Sequence, residues 1–303
     1  MSIIPDKLAI FYGWPSTVNG AGGDVSVAVN NFKNYKLVIF GSGLENPDHG
    51  DHINTVSIIN HPDMANTQVY GYIDATLDLD DIQTKIDLWA DMSVKGIFMD
   101  QFGYDFGVSR NKQRTIVWSI HHSDSGNTNT KLKAFVNAWS ADDTFSSAVD
   151  PINNPTGKDP RLNSNDWYLA ESFAIMDGAY DDADANSNGI KDWQDKAVKL
   201  INYRNIRGTK IAAVTTNDAS PFDSDKSDYG YYAAAINDFD AWGWGEQYFS
   251  AGDSLLPLRD RPDIIGTVFT GLVTQNAGVL ERQTNVGIHI DTNSHTVGYI
   301  LGA

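Results

Sequence analysis

Residues 94–105 constrain the fold of this chain more than any other stretch. The largely apolar run Val94-Lys95-Gly96-Ile97-Phe98-Met99 is too short for a helix and stops at Asp100, before the turn-like Gln101-Phe102-Gly103-Tyr104-Asp105. A buried strand ending on a carboxylate suits a parallel α/β barrel, where the strand fixes the acid and the next loop is free to vary. About one βα unit earlier, Val69-Tyr70-Gly71-Tyr72-Ile73 runs into Asp74 in the same way. A single such aspartate is equally well explained as a helix N-cap. Two in successive units, each ahead of an amphipathic segment, point to a shared site.

The rest of the chain repeats this rhythm. Strand-like runs fall at 8–12, 37–40, 69–74, 94–100, 132–137, 167–171, 210–216 and 246–250. Helical patterns lie between them at 79–92, 109–121, 193–203 and 229–242. Ile82, Ile86 and Trp89 give the first of these one buried face, as Ala197, Leu200 and Ile201 do for the third. Strands alternating with helices predict an α/β fold, a (β/α)8 TIM barrel, over residues 1–254. An open doubly wound sheet would need a glycine-rich turn directly after the first strand, and Gly20-Ala21-Gly22-Gly23 lies too far beyond Tyr12.

Beyond residue 254 the pattern changes. Pro257, Arg259, Arg261 and Pro262 form a linker-like passage, followed by alternating β-branched runs at 264–273 and 287–301. Val286, Ile288 and Ile290 alternate with other residues before Asp291-Thr292-Asn293-Ser294, and Val297, Tyr299 and Leu301 do so after it. Residues 255–303 therefore read as a β-rich C-terminal extension ending in a hairpin. Such a hairpin either covers the barrel bottom or offers an edge to another subunit, a route to a homo-oligomer.

Composition narrows the function classes. A net charge of −17 excludes a basic footprint for nucleic acid. No segment approaches the roughly 20 apolar residues of a membrane span. Cysteine is absent, which excludes disulfides and thiolate chemistry. Met1-Ser2-Ile3-Ile4-Pro5-Asp6 lacks the basic head and apolar centre of a secretion signal, so a leader was removed or another route is used. The acidity suits an extracellular or cell-surface setting, calcium, or a cationic substrate. Glutamate is rare, occurring only as Glu45, Glu171, Glu246 and Glu281.

The predicted strand ends supply Tyr12 and Trp14, Asp74, Asp100 with Tyr104 and Asp105, Asn137, Glu171, Thr216 with Asn217, and Tyr248. In a barrel these converge on one rim. Aromatic rings among acids and amides suit a carbohydrate, whose apolar faces stack and whose hydroxyls bind the polar groups. Asp100 and Glu171 are the candidate catalytic pair, and Tyr12, Trp14, Asp74, Tyr104, Asn137, Asn217 and Tyr248 the candidate substrate-binding residues. Glu171 follows an apolar run and precedes Phe173, a dry setting that suits a proton donor. Asp100 is then the ionised partner. The plainer alternative makes Glu171 an ordinary capping or rim residue.

A second motif is Asp184-Ala185-Asn186-Ser187-Asn188-Gly189-Ile190-Lys191-Asp192-Trp193-Gln194-Asp195. It has the spacing of EF-hand-like calcium loops: Asp184, Asn186, Asn188, Asp192 and Asp195 supply side-chain oxygens, Ile190 its carbonyl, and Gly189 the sharp turn. The alternative is an Asx-rich loop that caps the next helix. His49-Gly50-Asp51-His52 lacks an evident third ligand and reads as a surface or rim loop. His121-His122 closes a predicted helix, where a cation suits the helix dipole.

Gly71-Tyr72-Ile73-Asp74, the helix ending Leu88-Trp89, Gly96-Ile97-Phe98-Met99-Asp100 and Glu171-Ser172-Phe173 together resemble the spherulin-4 and endo-α-1,4-polygalactosaminidase group of barrel hydrolases. The resemblance spans about residues 8–250. It implies Asp100 as nucleophile or stabiliser and Glu171 as proton donor. Gln101 departs from the spherulin-like branch, which carries a second acid directly after the strand aspartate. The expected function is a calcium-stabilised extracellular glycoside hydrolase acting on a polysaccharide, with amino-sugar-rich chains favoured by charge. The competing expectation is a non-catalytic surface, adhesive or filament-forming protein on the same scaffold.

Overall fold

The computed structural model describes residues 4–126, 129–248, 250, 255–262, 266, 268–285 and 287–299. Six strands come first: β1 (Asp6–Phe11), β2 (Leu37–Phe40), β3 (Gln68–Asp74), β4 (Gly96–Asp100), β5 (Lys133–Asn137) and β6 (Trp167–Ala170). A small antiparallel pair, β7 (Ile175–Met176) and β8 (Ala179–Tyr180), precedes β9 (Lys210–Thr216) and β10 (Ala241–Gly245). All but β7 and β8 pair in parallel and close into an eight-stranded barrel, β10 returning to β1. Helices α1 (Val25–Phe32), α2 (His52–Ile59), α3 (Leu79–Asp91), α4 (Arg110–His122), α5 (Ala141–Phe145), α6 (Asp192–Arg207) and α7 (Ser224–Ile236) lie in the connections.

The strands are apolar on both faces because both faces are covered. One set of alternate residues (Leu8, Ile10, Leu37, Ile39, Tyr70, Phe98, Phe135, Trp167, Leu169 and Val214 among them) fills the barrel interior. The intervening set, including Phe11, Val38, Phe40, Ile73, Ile97 and Val136, meets the helices. Helix α3 presses so closely that a Cβ on Gly71 would lie 2.1 Å from the Trp89 ring.

The eighth strand differs from expectation. It is Ala241–Gly245, which starts within the last two residues of the predicted 229–242 helix, and not 246–250. Helix α7 starts earlier and stops at Ile236, after which Asp238 takes a positive φ of 58°. The reason lies in burial. Tyr229, Tyr231, Tyr232, Ala233, Ala234, Ala235 and Ile236 are all buried, so the helix shows no polar face to mark its limits.

What covers its outer side is a four-stranded antiparallel sheet: β11 (Phe269–Asn276), β12 (Val279–Thr284), β13 (Ile288–Asp291) and β14 (Thr296–Tyr299). Strands β13 and β14 lie against α7, Leu280, Ile288 and Ile290 are buried there, and Arg282 donates to the Ile236 carbonyl at 2.9 Å. The sheet thus flanks the barrel and does not floor it. The predicted terminal hairpin is β13–β14, with Asp291 opposite Thr296. Val286 and Leu301 lie outside the described residues. The linker is strapped to the barrel by Asn19, which meets Leu256, and by Arg261, which donates to the Pro5 and Trp242 carbonyls.

Candidate active site

The inward parity of the strands carries straight into the site. Phe98 leads to Asp100, Phe135 to Asn137, Leu169 to Glu171, Ile10 to Tyr12 and Tyr70 to Tyr72, each two residues on and on the same face. At the C-terminal rim these become neighbours. Asn137 Nδ2 donates to Asp100 Oδ1 at 2.9 Å and to Glu171 Oε2 at 2.5 Å. Those two lengths hold the bonded carboxyl oxygens no more than about 5.4 Å apart, which favours the close carboxyl spacing of retaining glycosidases over the wider inverting one. The Tyr72 hydroxyl and the Gln101 amide also donate to Asp100, each at 2.9 Å. Gln101 holds a positive φ of 53° as the chain turns off β4.

Three donors converge on the Asp100 carboxyl oxygens. Glu171 differs. Burial pushes its carboxyl above the usual range, the Asn137 bond opposes that, the Asp100 charge adds to it, and the Lys196 charge opposes it. Burial, helped by nearby Asp100, also raises the Tyr12 and Tyr72 phenols, so both stay neutral donors. Lys196 donates to the Glu171 carbonyl at 3.4 Å, and burial pushes its pKa down to about 8 against the pull of Glu171 and Asp181.

Asp100, Asn137 and Glu171 open on a cavity of about 310 Å³, walled also by Gln101, Asp105, Phe106 and Trp139. A second cavity of about 350 Å³ shares Trp139 and Glu171. Of the four glutamates Glu171 is the one that borders these two cavities, Glu281 being exposed on β12. Glu45 is buried and paired with Lys85, and Glu246 is paired with Arg259.

The other expected substrate residues are placed differently. Asp74 accepts from the Thr76 amide and hydroxyl, each at 2.7 Å, and so caps its own turn. Tyr104 packs under Arg110, and its amide donates to Asp143. Asn217 is buried and donates to the Ser220 carbonyl at 2.7 Å, while its own carbonyl receives the Tyr248 amide. Trp14 and Tyr248 are exposed, Trp14 edge-on to His49. Asp51 is buried against Ser16, so the His49–His52 loop is internally braced. Tyr72, Phe106, Trp139 and Lys196 were not singled out from sequence, although strand parity marks Tyr72 and Trp139.

The loop at 184–195 closes on itself. Asp184 accepts from the Asn188 and Gly189 amides, at 3.0 and 2.9 Å, and Asn186 and Asn188 both reach Asp195, at 2.8 and 3.0 Å. Asp192 accepts from the Ala185 amide and begins α6. Among the described residues, no three His, Cys, Asp or Glu side chains form a metal-ligating group. A cation here would depend on the Asn186 and Asn188 oxygens and the Ile190 carbonyl as much as on the acids.

The sequence matches no protein-family model and no curated protein. Similar solved structures include an HpcH/HpaI aldolase from Desulfitobacterium hafniense, at 10% identity and TM-score 0.44 over 80% of this chain and 86% of that one. A malate synthase from Haloferax volcanii aligns at 11% identity and TM-score 0.43, covering 78% and 70%. An O-GlcNAc hydrolase variant from Thermobaculum terrenum aligns at 10% identity and TM-score 0.43, covering 77% and 58%. None of these informs the chemistry of this chain. No described helix is long and apolar enough to cross a membrane.

Proposed function

We propose that this chain is a glycoside hydrolase that cleaves a polysaccharide with retention of configuration. The observation that carries the reading is the Asn137 amide joined to both Asp100 and Glu171 on an open cavity. Glu171, held above the usual carboxyl range by burial, protonates the leaving oxygen. Asp100 attacks the anomeric carbon as that bond breaks, and Glu171 then takes a proton from the water that releases the sugar. Tyr12 and Tyr72, as neutral donors, hold Asp100 and the sugar in register.

The short motifs shared with the spherulin-4 and polygalactosaminidase group support this assignment of roles. An amino-sugar-rich, cationic glycan suits the net charge of −17 and Asp100, Asp105 and Asp181 beside the two cavities. We assign calcium to the loop at Asp184, Asn186, Asn188, Ile190, Asp192 and Asp195, and an extracellular or cell-surface setting where that ion is abundant.

A screen of reducing-end release from cationic, neutral and anionic polysaccharides tests the activity. On the glycan that is cut, Glu171→Gln should lose roughly two to four orders of magnitude, and far less on an activated aryl glycoside in the glycosylation step. Asp100→Asn should lose both. Full activity in either folded variant would place the chemistry elsewhere.

A further inference from the structure

We propose that the cavity beyond Trp139 is the leaving-group subsite, and that Trp139 is the platform on which the leaving sugar stacks. This rests on the glycoside-hydrolase reading and deepens it. Asp100 borders only the first cavity, whereas Glu171 borders both. A nucleophile must reach the anomeric carbon, and a proton donor must reach the oxygen between two sugars. The sugar that is attacked therefore lies in the Asp100 cavity, and the sugar that departs lies across Glu171, in the cavity lined by Asp181, Asp195 and Lys199.

Trp139 stands at the boundary and lines both spaces. It is 59% exposed, and unlike Trp14 and Trp118, which are also about half exposed, it borders both of these cavities. A sugar face laid on that indole would remove apolar surface from water, at roughly 25 cal/mol per Å². The ring is also held. Lys196 Nζ sits 5.0 Å from its centroid, and the same ammonium donates to the Glu171 carbonyl at 3.4 Å. One cation thus fixes the platform to the main chain that carries the proton donor. A preset aromatic ring of this kind binds the C–H face of a sugar with little ordering cost.

The test compares two probes on wild type, Trp139→Ala and Trp139→Phe. One is a tetrasaccharide of the glycan that the wild type cuts, and the other is the glycosyl fluoride of its monomer, whose leaving group fills no second subsite. Trp139→Ala should lower kcat/KM for the tetrasaccharide at least tenfold more than for the fluoride, through a raised KM, and the loss should be largely rescued in Trp139→Phe. Unchanged tetrasaccharide kinetics in Trp139→Ala would overturn the proposal. So would equal losses on both probes, which would tie Trp139 to the first cavity or to the fold. A wild type that cuts no glycan would instead remove the hydrolase reading, and this inference with it.

Discussion

Replacing Asn137 with alanine removes a group bonded to both candidate carboxyls. Its side chain is buried, and its two bonds are 2.9 and 2.5 Å long. Hydrogen bonds to charged acceptors are each worth about 1.5–3 kcal/mol. Asp100 keeps the Tyr72 hydroxyl and the Gln101 amide, so it loses the smaller share. Glu171 loses the contact that most favours its ionised form, while the Asp100 charge stays beside it. Its pKa, already raised, must rise further. The alkaline limb of kcat/KM, which reports loss of the proton from the acid in the free enzyme, should therefore move to higher pH. Forfeiting the positioning worth of about one such bond should slow the plateau rate on an unactivated glycan by about 10- to 100-fold. Asn137→Asp should move the limb the same way, since it adds a third carboxylate to the cluster. The assay is reducing-end release across pH, with folding verified by circular dichroism. A plateau loss with an unmoved limb would mean that Asn137 merely braces the rim. A limb displaced to lower pH would mean that Glu171 is not the acid.

Glu171→Gln should have a second effect, of opposite sign to its effect on rate. The folded pKa of Glu171 lies above its unfolded value of about 4.3, so the native state binds more protons between the two and stability falls as pH rises through that window. The variant should therefore resist denaturant better than wild type at pH 7, and the advantage should fade at pH 4. Equal midpoints at both pH values would contradict the burial argument. Gly71→Ala should destabilise by about 1–3 kcal/mol or more, because the new methyl would lie 2.1 to 2.5 Å from three atoms of the buried Trp89 ring. Urea unfolding would show this as a lower midpoint, and a wild-type midpoint would mean that α3 does not press on β3. Excess chelator should lower the melting temperature, and calcium should restore it, since an ion bound only by the native state shifts unfolding by mass action. An unchanged melting temperature would retire the calcium assignment.

The barrel, and the convergence of Asp100, Asn137 and Glu171 on its rim, were legible because short runs apolar on both faces end abruptly on a polar residue. Counting in twos along β4, β5 and β6 runs from Phe98, Phe135 and Leu169 to Asp100, Asn137 and Glu171 without reference to coordinates. The same count would have found Tyr72 from Tyr70, and Trp139 from Asn137. Tyr72 sits in a strand, where an aromatic residue reads first as core, and Trp139 lies two residues past the end of β5. Asp74 and Asn217 are engaged locally for a physical reason. Near a strand end, an Asp or Asn is as readily used by its own turn as by a ligand, and Asp74 on Thr76 and Asn217 on Ser220 are such uses. The last barrel strand was hidden by its neighbour. Helix α7 is enclosed by the barrel on one side and the C-terminal sheet on the other, so Tyr229 to Ile236 carry no polar stripe and merge by eye into Ala241-Trp242. The boundary is set by Asp238 at positive φ and by the pairing of Ala241 with Asp6 on one side and Ala212 on the other. Those are long-range facts, since the sheet that makes α7 apolar all round starts more than thirty residues after the helix ends. Local patterning could place the carboxyls, but only the closed barrel decides which strand completes it.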